Sequence, residues 1–320
     1  MDTQLNVKFW GVRGSHPAPG EDTVLFGGNT ACVEVRAGAI TVILDAGTGL
    51  IGLGRDLTRR SQESGTPLQA TLLFSHLHHD HTQGFPFFIP AYHPANRLFL
   101  FGPGPSSQAL EELLSQNQQP PAFPVRLNEM SAALHIRSLS EQDTLYLDEN
   151  GPRLNAPAED ALSVRILRSY AHPGGVYIYR LAWRGQSLVY ATDTEGYVGG
   201  DRRLAAFAHE ADLLIHDAQY TEAHYRGQNG RPSTQGYGHS TAEMACELAR
   251  AANARSLALF HHDPSYTDQE LTFIEKRARS LFHGAFAARE GLEMRLSRES
   301  QPLFSVSRLA RQPMAESKRG

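Results

Sequence analysis

The sequence predicts a single-domain α/β protein, a four-layer αβ/βα sandwich in which two sheets pack face to face and helices cover the outside. Three observations support this. Runs rich in β-branched and aromatic residues recur from Leu5 onward, bounded by glycine or proline. Helical patterns follow each group of runs, which suits helices laid over the outside of packed sheets. Histidine and aspartate residues stand where several of the runs stop.

The elements come in a clear order. Residues 5–12, 31–37 and 40–45 read as strands, and Gly47, Gly49, Gly52 and Gly54 punctuate the next segment. Residues 50–61 have the apolar spacing and charged tail of a short helix, and residues 70–74 read as a buried strand. A strand at 97–101 is closed by Gly102-Pro103-Gly104-Pro105, and residues 107–116 form a helix capped by Ser106 or Ser107. The Gln- and Pro-rich stretch 116–124 reads as an ordered surface crossing, because strand-like segments resume at 133–138 and 144–147. Strands at 163–170, 176–183 and 187–191 come next, the last two joined by a hairpin turn at Arg184-Gly185-Gln186. The final third alternates helix 202–209, strand 211–216, helix 241–252, strand 256–260 and helix 268–282. The domain is expected over residues 1–300, with 301–320 as a C-terminal extension that frays at its polar end.

A chain of 320 residues can bury a sizeable core. Its formal charge of −4 provides no overall basic field for an extended polyanion such as tRNA or duplex DNA. Cys32 and Cys246 are too few and too far apart for a disulfide framework, residues 1–7 lack an apolar leader, and no run approaches a membrane span. A soluble, cytoplasmic protein is expected, with no membrane or extended nucleic acid as partner. The oligomeric state is left open, a homodimer included.

The densest chemistry lies in His76-Leu77-His78-His79-Asp80-His81, directly after a strand. Neutral imidazole and carboxylate are ligands for zinc and similar divalent ions. At a strand end His76 and His78 point the same way, while Asp80 and His81 wrap back from the following loop. The spacing therefore suits two adjacent metal positions. Some clustering is expected with 15 histidines in the chain, and a surface tract accounts for His79. His172, Asp193 and His261 each end a strand-like run as well, although a strand-end Asp taken alone more often caps a turn.

The string His76-x-His78-x-Asp80-His81, with His172, Asp193 and His261, resembles the metallo-β-lactamase superfamily. The likeness runs from Phe9 to about His262 and includes Asp45-Ala46-Gly47-Thr48-Gly49, similar to the early Asp-bearing loop that buttresses that family's metal loop. It implies the metallo-β-lactamase fold with two divalent ions, zinc first and manganese or iron as alternatives. His76, His78 and His172 would hold one, Asp80, His81 and His261 the other, with Asp193 between them; His262 is a weaker substitute for His261.

Gly238-His239-Ser240-Thr241 resembles a segment of ribonuclease Z and its phosphodiesterase relatives. Ser240 also suits a helix cap, and a helix N-terminus receives phosphate well. The segments from Phe9 to Ser15 and from Phe26 to Cys32 resemble a bacterial branch of small phosphodiesterases acting on cyclic nucleotides or phosphoribosyl cyclic phosphates. That likeness offers Arg13, Ser15 and Asn29, together with Ser240, as substrate contacts; equally, the glycines make turns and Asn29 satisfies a backbone group.

Two departures stand out. Where ribonuclease Z has His-Glu-Ala-Thr, this chain has His216-Asp217-Ala218-Gln219, which leaves the acidic partner of His239 one methylene shorter. A Gly-rich basic arm for tRNA is missing, since residues 116–137 hold only Arg126 and Arg137 as cations. The resemblance thus implies a metal-dependent hydrolase that cleaves a small, cyclic phosphodiester with hydroxide activated at the binuclear centre. Asp80 would orient or deprotonate the nucleophile and His239 would protonate the leaving alkoxide. The rival readings are a tRNA 3′-processing endonuclease, lactone or thioester hydrolysis, and a non-catalytic, metal-stabilised ligand sensor.

Overall fold

Successive side chains of a strand face opposite ways, so a strand that is apolar on both faces has to be covered twice. In β1 (Leu5–Gly11), Leu5, Val7 and Phe9 enter one apolar cluster and Trp10 enters another. Repeated along the chain, this division makes the layers. The computed structural model describes residues 4–106, 108–197 and 200–297 and the backbone of 303–306.

The first sheet continues with β2 (Cys32–Ala37), β3 (Ile40–Leu44), β4 (Gln69–Leu73), β5 (Arg97–Pro103) and β6 (Ala133–Leu139). The second is built from β7 (Thr144–Asp148), β8 (Gly151–Leu154), β9 (Leu162–Ser169), β10 (Val176–Trp183), β11 (Gln186–Ala191), β12 (Leu213–Asp217), β13 (Leu257–Phe260) and β14 (Ala285–Ala287). The chain then returns to the first sheet with β15 (Leu292–Arg295) and β16 (Leu303–Val306). Both sheets are eight-stranded, in the orders β16-β15-β1-β2-β3-β4-β5-β6 and β14-β13-β12-β11-β10-β9-β7-β8.

Their facing sides share one core, from Val7, Phe9, Val33 and Leu44 of the first sheet to Tyr179, Leu181, Ile215 and Phe260 of the second. The helices α1 (Gly49–Ser64), α2 (His79–Thr82) and α3 (Ala109–Asn117) follow strands of the first sheet, and α4 (Arg202–Phe207), α5 (Glu222–Tyr225), α6 (Ala242–Ala251) and α7 (Asp268–Leu281) belong to the second. Leu50, Leu53 and Leu57 of α1 and Leu110 of α3 cover the outer face of the first sheet with Leu72 and Leu98. Ala245, Ala249, Ile274 and Ala278 of α6 and α7 cover the second with Val189, Leu214 and Leu259. The expected four-layer αβ/βα sandwich is the observed architecture.

Several details differ from expectation. The helix α3 begins after Gln108, which makes no side-chain cap, so Ser106 is not its capping residue; Ser107 lies outside the described residues. The short elements β8, β14 and α5 escaped the sequence reading because three or four residues do not establish a period. The sheet also passes the expected domain end at residue 300, since β16 pairs with β15 through Leu292↔Val306 and Arg295↔Leu303. The expected frayed end at 314–320 lies outside the described residues. Arg184 and Gly185 both take positive φ in the tight turn between β10 and β11, as the hairpin expectation required. Cys32 and Cys246 are buried and unpaired. Among the described residues, no helix is long and apolar enough to cross a membrane.

The loop after β3 and the loop after β4 touch backbone to backbone. Ala46 N–H donates to the His81 carbonyl at 2.8 Å, and Gly84 N–H donates to the Ala46 carbonyl at 2.9 Å. A Cβ on Gly84 would stand 2.0 Å from the Gly47 oxygen, so only glycine permits the approach. Gly84→Ala is expected to lower unfolding free energy by about 1–3 kcal/mol, measured by denaturant titration.

Candidate metal centre

Parallel pairing of β3 with β4, and of β11, β12 and β13 with one another, puts the carboxyl ends of these strands on one edge of the sandwich. β9 runs in the same direction as β11, because both are antiparallel to β10. Asp45, His76, His172, Asp193, Asp217 and His261 therefore emerge together at that edge. Asp45, Asp193 and His261 have φ of 59°, 51° and 61°, a left-handed conformation costly for these residues. The turn it makes directs each side chain into the crevice between the sheets.

Two clusters of donor atoms result. In one, His76, His78 and His172 converge, with His78 Nδ1 and His172 Nε2 3.1 Å apart. In the other, His81 Nε2 lies 3.2 Å from His261 Nε2, 3.3 Å from Asp80 Oδ2 and 3.2 Å from Asp193 Oδ2. His261 Nε2 lies 3.1 Å from Asp80 Oδ2 and 3.3 Å from Asp193 Oδ2. The two oxygens of Asp193 divide between the clusters, Oδ1 being 3.6 Å from His76 Nε2 and 3.9 Å from His172 Nε2. The seven residues expected from the sequence thus lie together, and donor atoms of His239 converge as well with those of His172 and Asp193 and with those of Asp217 and His261.

The donor set fits divalent ions. A tetrahedron with edges near 3.2 Å has its centre about 2.0 Å from each corner, the usual distance from zinc to nitrogen or oxygen. His76 Nε2 is buried without a hydrogen-bond partner, a costly omission unless a cation faces it. Burial also pushes His76 well below the ordinary histidine range, which keeps it in the neutral form that ligates. Burial opposes ionisation of Asp80, yet His81 and His261 hold its carboxyl well below the usual carboxylate range.

The outer nitrogens of His76, His81, His172 and His261 are tied down, which leaves the inner ones facing the clusters. His81 Nδ1–H donates to Asp45 Oδ2 at 2.7 Å, His261 Nδ1–H to Gln219 Oε1 at 3.0 Å and His172 Nδ1–H to the Gly238 carbonyl at 3.2 Å. Ser75 Oγ donates to Asp45 and accepts from His76 Nδ1–H at 3.1 Å. These bonds set tautomer and ring orientation. Ser75 and Gln219 were missed as supports; Gln219 stood in the His216-Asp217-Ala218-Gln219 string, but sequence spacing says nothing about its reach.

His239 stands beside both clusters. Its ring stacks on His261 at 5.0 Å and meets His172 edge to face at 5.0 Å. Its Nδ1–H donates to Asp217 Oδ2 at 2.7 Å, so the shorter acid does reach. Burial lowers its pKa, but the Asp217 charge and hydrogen bond outweigh this and lift it to about 9. Asp217 also accepts from Ser240 N–H at 3.0 Å and Gln219 N–H at 3.1 Å.

The expected substrate contacts fare differently. Arg13 is fully buried and donates to the carbonyls of Gly27, Asp263 and Tyr266, bracing the loops behind the site. Asn29 gives its side-chain amide to Glu290 at 2.9 Å. Ser240 Oγ donates to the Thr194 carbonyl at 2.6 Å, and Thr241, not Ser240, caps α6. Asn29 and Ser240 are occupied within the protein, and Arg13 is engaged through Nε and Nη1, although its buried Nη2 has no partner among the described residues. Ser15 alone of the four lies exposed at the mouth, where its backbone N–H donates to Asp80 Oδ2 at 2.7 Å. His79 is exposed, and His262 donates to the Ala288 carbonyl away from both clusters.

Comparison with known proteins gives a consistent picture. Residues 41–262 match the beta-lactamase superfamily domain. The chain is 25% identical to ribonuclease Z of Picrophilus torridus, covering 94% of this chain and 99% of that protein. Among solved structures, the metallo-beta-lactamase fold protein YhfI from Bacillus subtilis superposes with a TM-score of 0.64 at 18% identity, over 92% of this chain and 100% of that one. A diphosphatase of the PhnP family gives 0.58 at 15% identity, over 90% and 96%.

Asp45→Asn is expected to weaken divalent-metal binding about 10- to 100-fold, read by competition with a chromophoric chelator, because the amide puts a donor NH2 in place of one of the two oxygens that accept from Ser75 and His81. Arg13→Met is expected to cost about 3–5 kcal/mol of unfolding free energy by leaving the surrounding buried carbonyls unpaired. Guanidinium titration of the two proteins measures that loss.

Proposed function

The chain belongs to the beta-lactamase superfamily, and we propose that it is a metal-dependent phosphodiesterase acting on a small, cyclic phosphodiester, a cyclic nucleotide or a phosphoribosyl cyclic phosphate. The position of His239 carries this reading. A poor alkoxide leaving group needs a proton, and His239 is a buried imidazole held by Asp217 beside both ligand clusters. A groove of about 350 Å³ beside His76 and His78 suits a small ligand.

His76, His78 and His172 would hold one divalent ion, Asp80, His81 and His261 the second, and Asp193 would bridge them, with zinc first and manganese or iron as alternatives. Such a pair supplies Lewis acidity toward phosphoryl oxygens and brings the pKa of water toward neutrality. The rest falls to the side chains. Asp80, fixed by the Ser15 N–H, orients the attacking water. His239 delivers its proton to the departing oxygen, and Asp217 keeps the ring in the tautomer and orientation for that transfer.

Cleavage of tRNA 3′ ends is the second reading, favoured by the full-length likeness to a protein named ribonuclease Z. The expectation against extended nucleic acid finds no support in that relative, and the chain's charge of −4 alone does not decide it.

With zinc-, manganese- or iron-loaded protein, bis-p-nitrophenyl phosphate should be hydrolysed, and His239→Ala should lower kcat by about 10²-fold or more at unchanged metal content. Equal rates in the two proteins would remove His239 from the chemistry, and no turnover with any of these metals would remove the phosphodiesterase reading. Cleavage of precursor tRNA that weakens steeply as salt rises would favour the ribonuclease.

A further inference from the structure

A cavity of about 190 Å³ lies on the outer face of the second sheet, between α4, α6 and the residues that follow Asp193. Leu204 and Ala205 of α4 and Met244, Leu248 and Ala251 of α6 give it apolar walls, and His216 of β12 lines it as well. It shares no lining residue with the groove beside His76 and His78.

His216 stands where the strand pattern calls for an apolar residue. Leu213 and Ile215 enter the inter-sheet core and Leu214 enters the helix-side cluster, so His216 returns to the helix side two residues on. It is 2% exposed. Its Nδ1–H donates to the Asp217 carbonyl at 2.7 Å, which leaves Nε2 a lone-pair acceptor with no hydrogen-bond partner among the described residues. Burial holds His216 below the ordinary histidine range, so the ring stays neutral. A buried acceptor without a donor is costly, and the cavity is the route by which a donor reaches it.

Size and lining define the ligand. An aliphatic cavity of roughly 150 Å³ accepts benzene, so this one has room for a single aromatic ring with a small substituent. Methionine sulfur and aliphatic walls favour the ring, and one O–H or N–H satisfies the imidazole. The cavity also adjoins the supports of the candidate metal centre. Thr194 and Glu195 in its lining directly follow Asp193, and Glu195 accepts from Gly238 N–H. Gly196 lies against α6, where a Cβ would stand 3.0 Å from Met244. His216 is joined in sequence to Asp217, which holds His239.

We propose that this cavity is an effector site for a small, neutral aromatic molecule with one hydroxyl or N–H donor, bound through His216 Nε2 and coupled to the metal centre through residues 193–195 and Asp217. The site is independent of the reaction proposed above.

Calorimetry with phenol and toluene, which are alike in size and differ in the hydroxyl, tests it. Phenol should bind about fivefold or more tightly than toluene, the worth of one hydrogen bond. Ala251→Trp, at an exposed position on the rim, should abolish phenol binding with an unchanged circular dichroism spectrum, and Ala205→Phe on the other wall is a second block. Zinc loading should change the phenol affinity of the wild type about fivefold or more, and phenol should change zinc affinity by the same factor. Failure of phenol to bind, equal binding of toluene, or binding that survives both blocking variants overturns the site. Equal phenol affinity with and without zinc overturns the effector role.

Discussion

The carboxylate of Asp45 holds this structure together at its most demanding point. It is 2% exposed and lies at the end of β3, where it accepts from Ser75 N–H, Ser75 Oγ, His81 Nδ1–H and the Tyr190 hydroxyl, all at 2.7–2.8 Å. Burying a carboxylate is costly unless its oxygens are fully hydrogen-bonded, and here the donors come from both sheets and from the metal loop. One side chain thereby ties the facing sheets together and fixes His81. The close backbone contact of residues 46–47 with His81 and Gly84 serves the same joint.

The rest of the centre depends on that joint because its donors come from strand ends far apart in sequence. Asp193, at 51° in φ, and His261, at 61°, take a strained backbone that only a well-packed surrounding can sustain. The inter-sheet core supplies it, with Tyr179 reaching across to the Phe74 carbonyl at 2.6 Å. A rigid frame of this kind lets imidazole nitrogens and carboxylate oxygens stand about 3 Å apart, a spacing that ligands without a frame would relax.

Behind the donors lies a continuous polar chain. Asp217 holds His239 and the backbone of Ser240 and Gln219, while Gln219 holds His261 and donates to Ser15 Oγ. Glu195, two residues past Asp193, accepts from Gly236 N–H, Gly238 N–H and the Tyr225 hydroxyl. Gly238 in turn presents its carbonyl to His172. The candidate proton donor and the candidate ligands of both clusters therefore share supports, which is the arrangement a preorganised site requires.

Much of this was legible from residue order. Strand periodicity and the helices after each group of strands predicted the layers, and the residue types at strand ends marked candidate donors, because a strand's carboxyl end is where a loop can aim a side chain; their division into two clusters came with the resemblance to the metallo-β-lactamase superfamily. Tertiary structure decided what reach and burial decide. Asp217 meets His239 despite its shorter side chain, since β12 brings the backbones close enough. Arg13, Asn29 and Ser240 looked like substrate contacts and are tied within the protein, to partners the sequence could not reveal because Asp263, Glu290 and Thr194 lie 46 to 261 residues away along the chain. Chemical type is local and can be read from order, whereas hydrogen-bond saturation and distance belong to the folded chain.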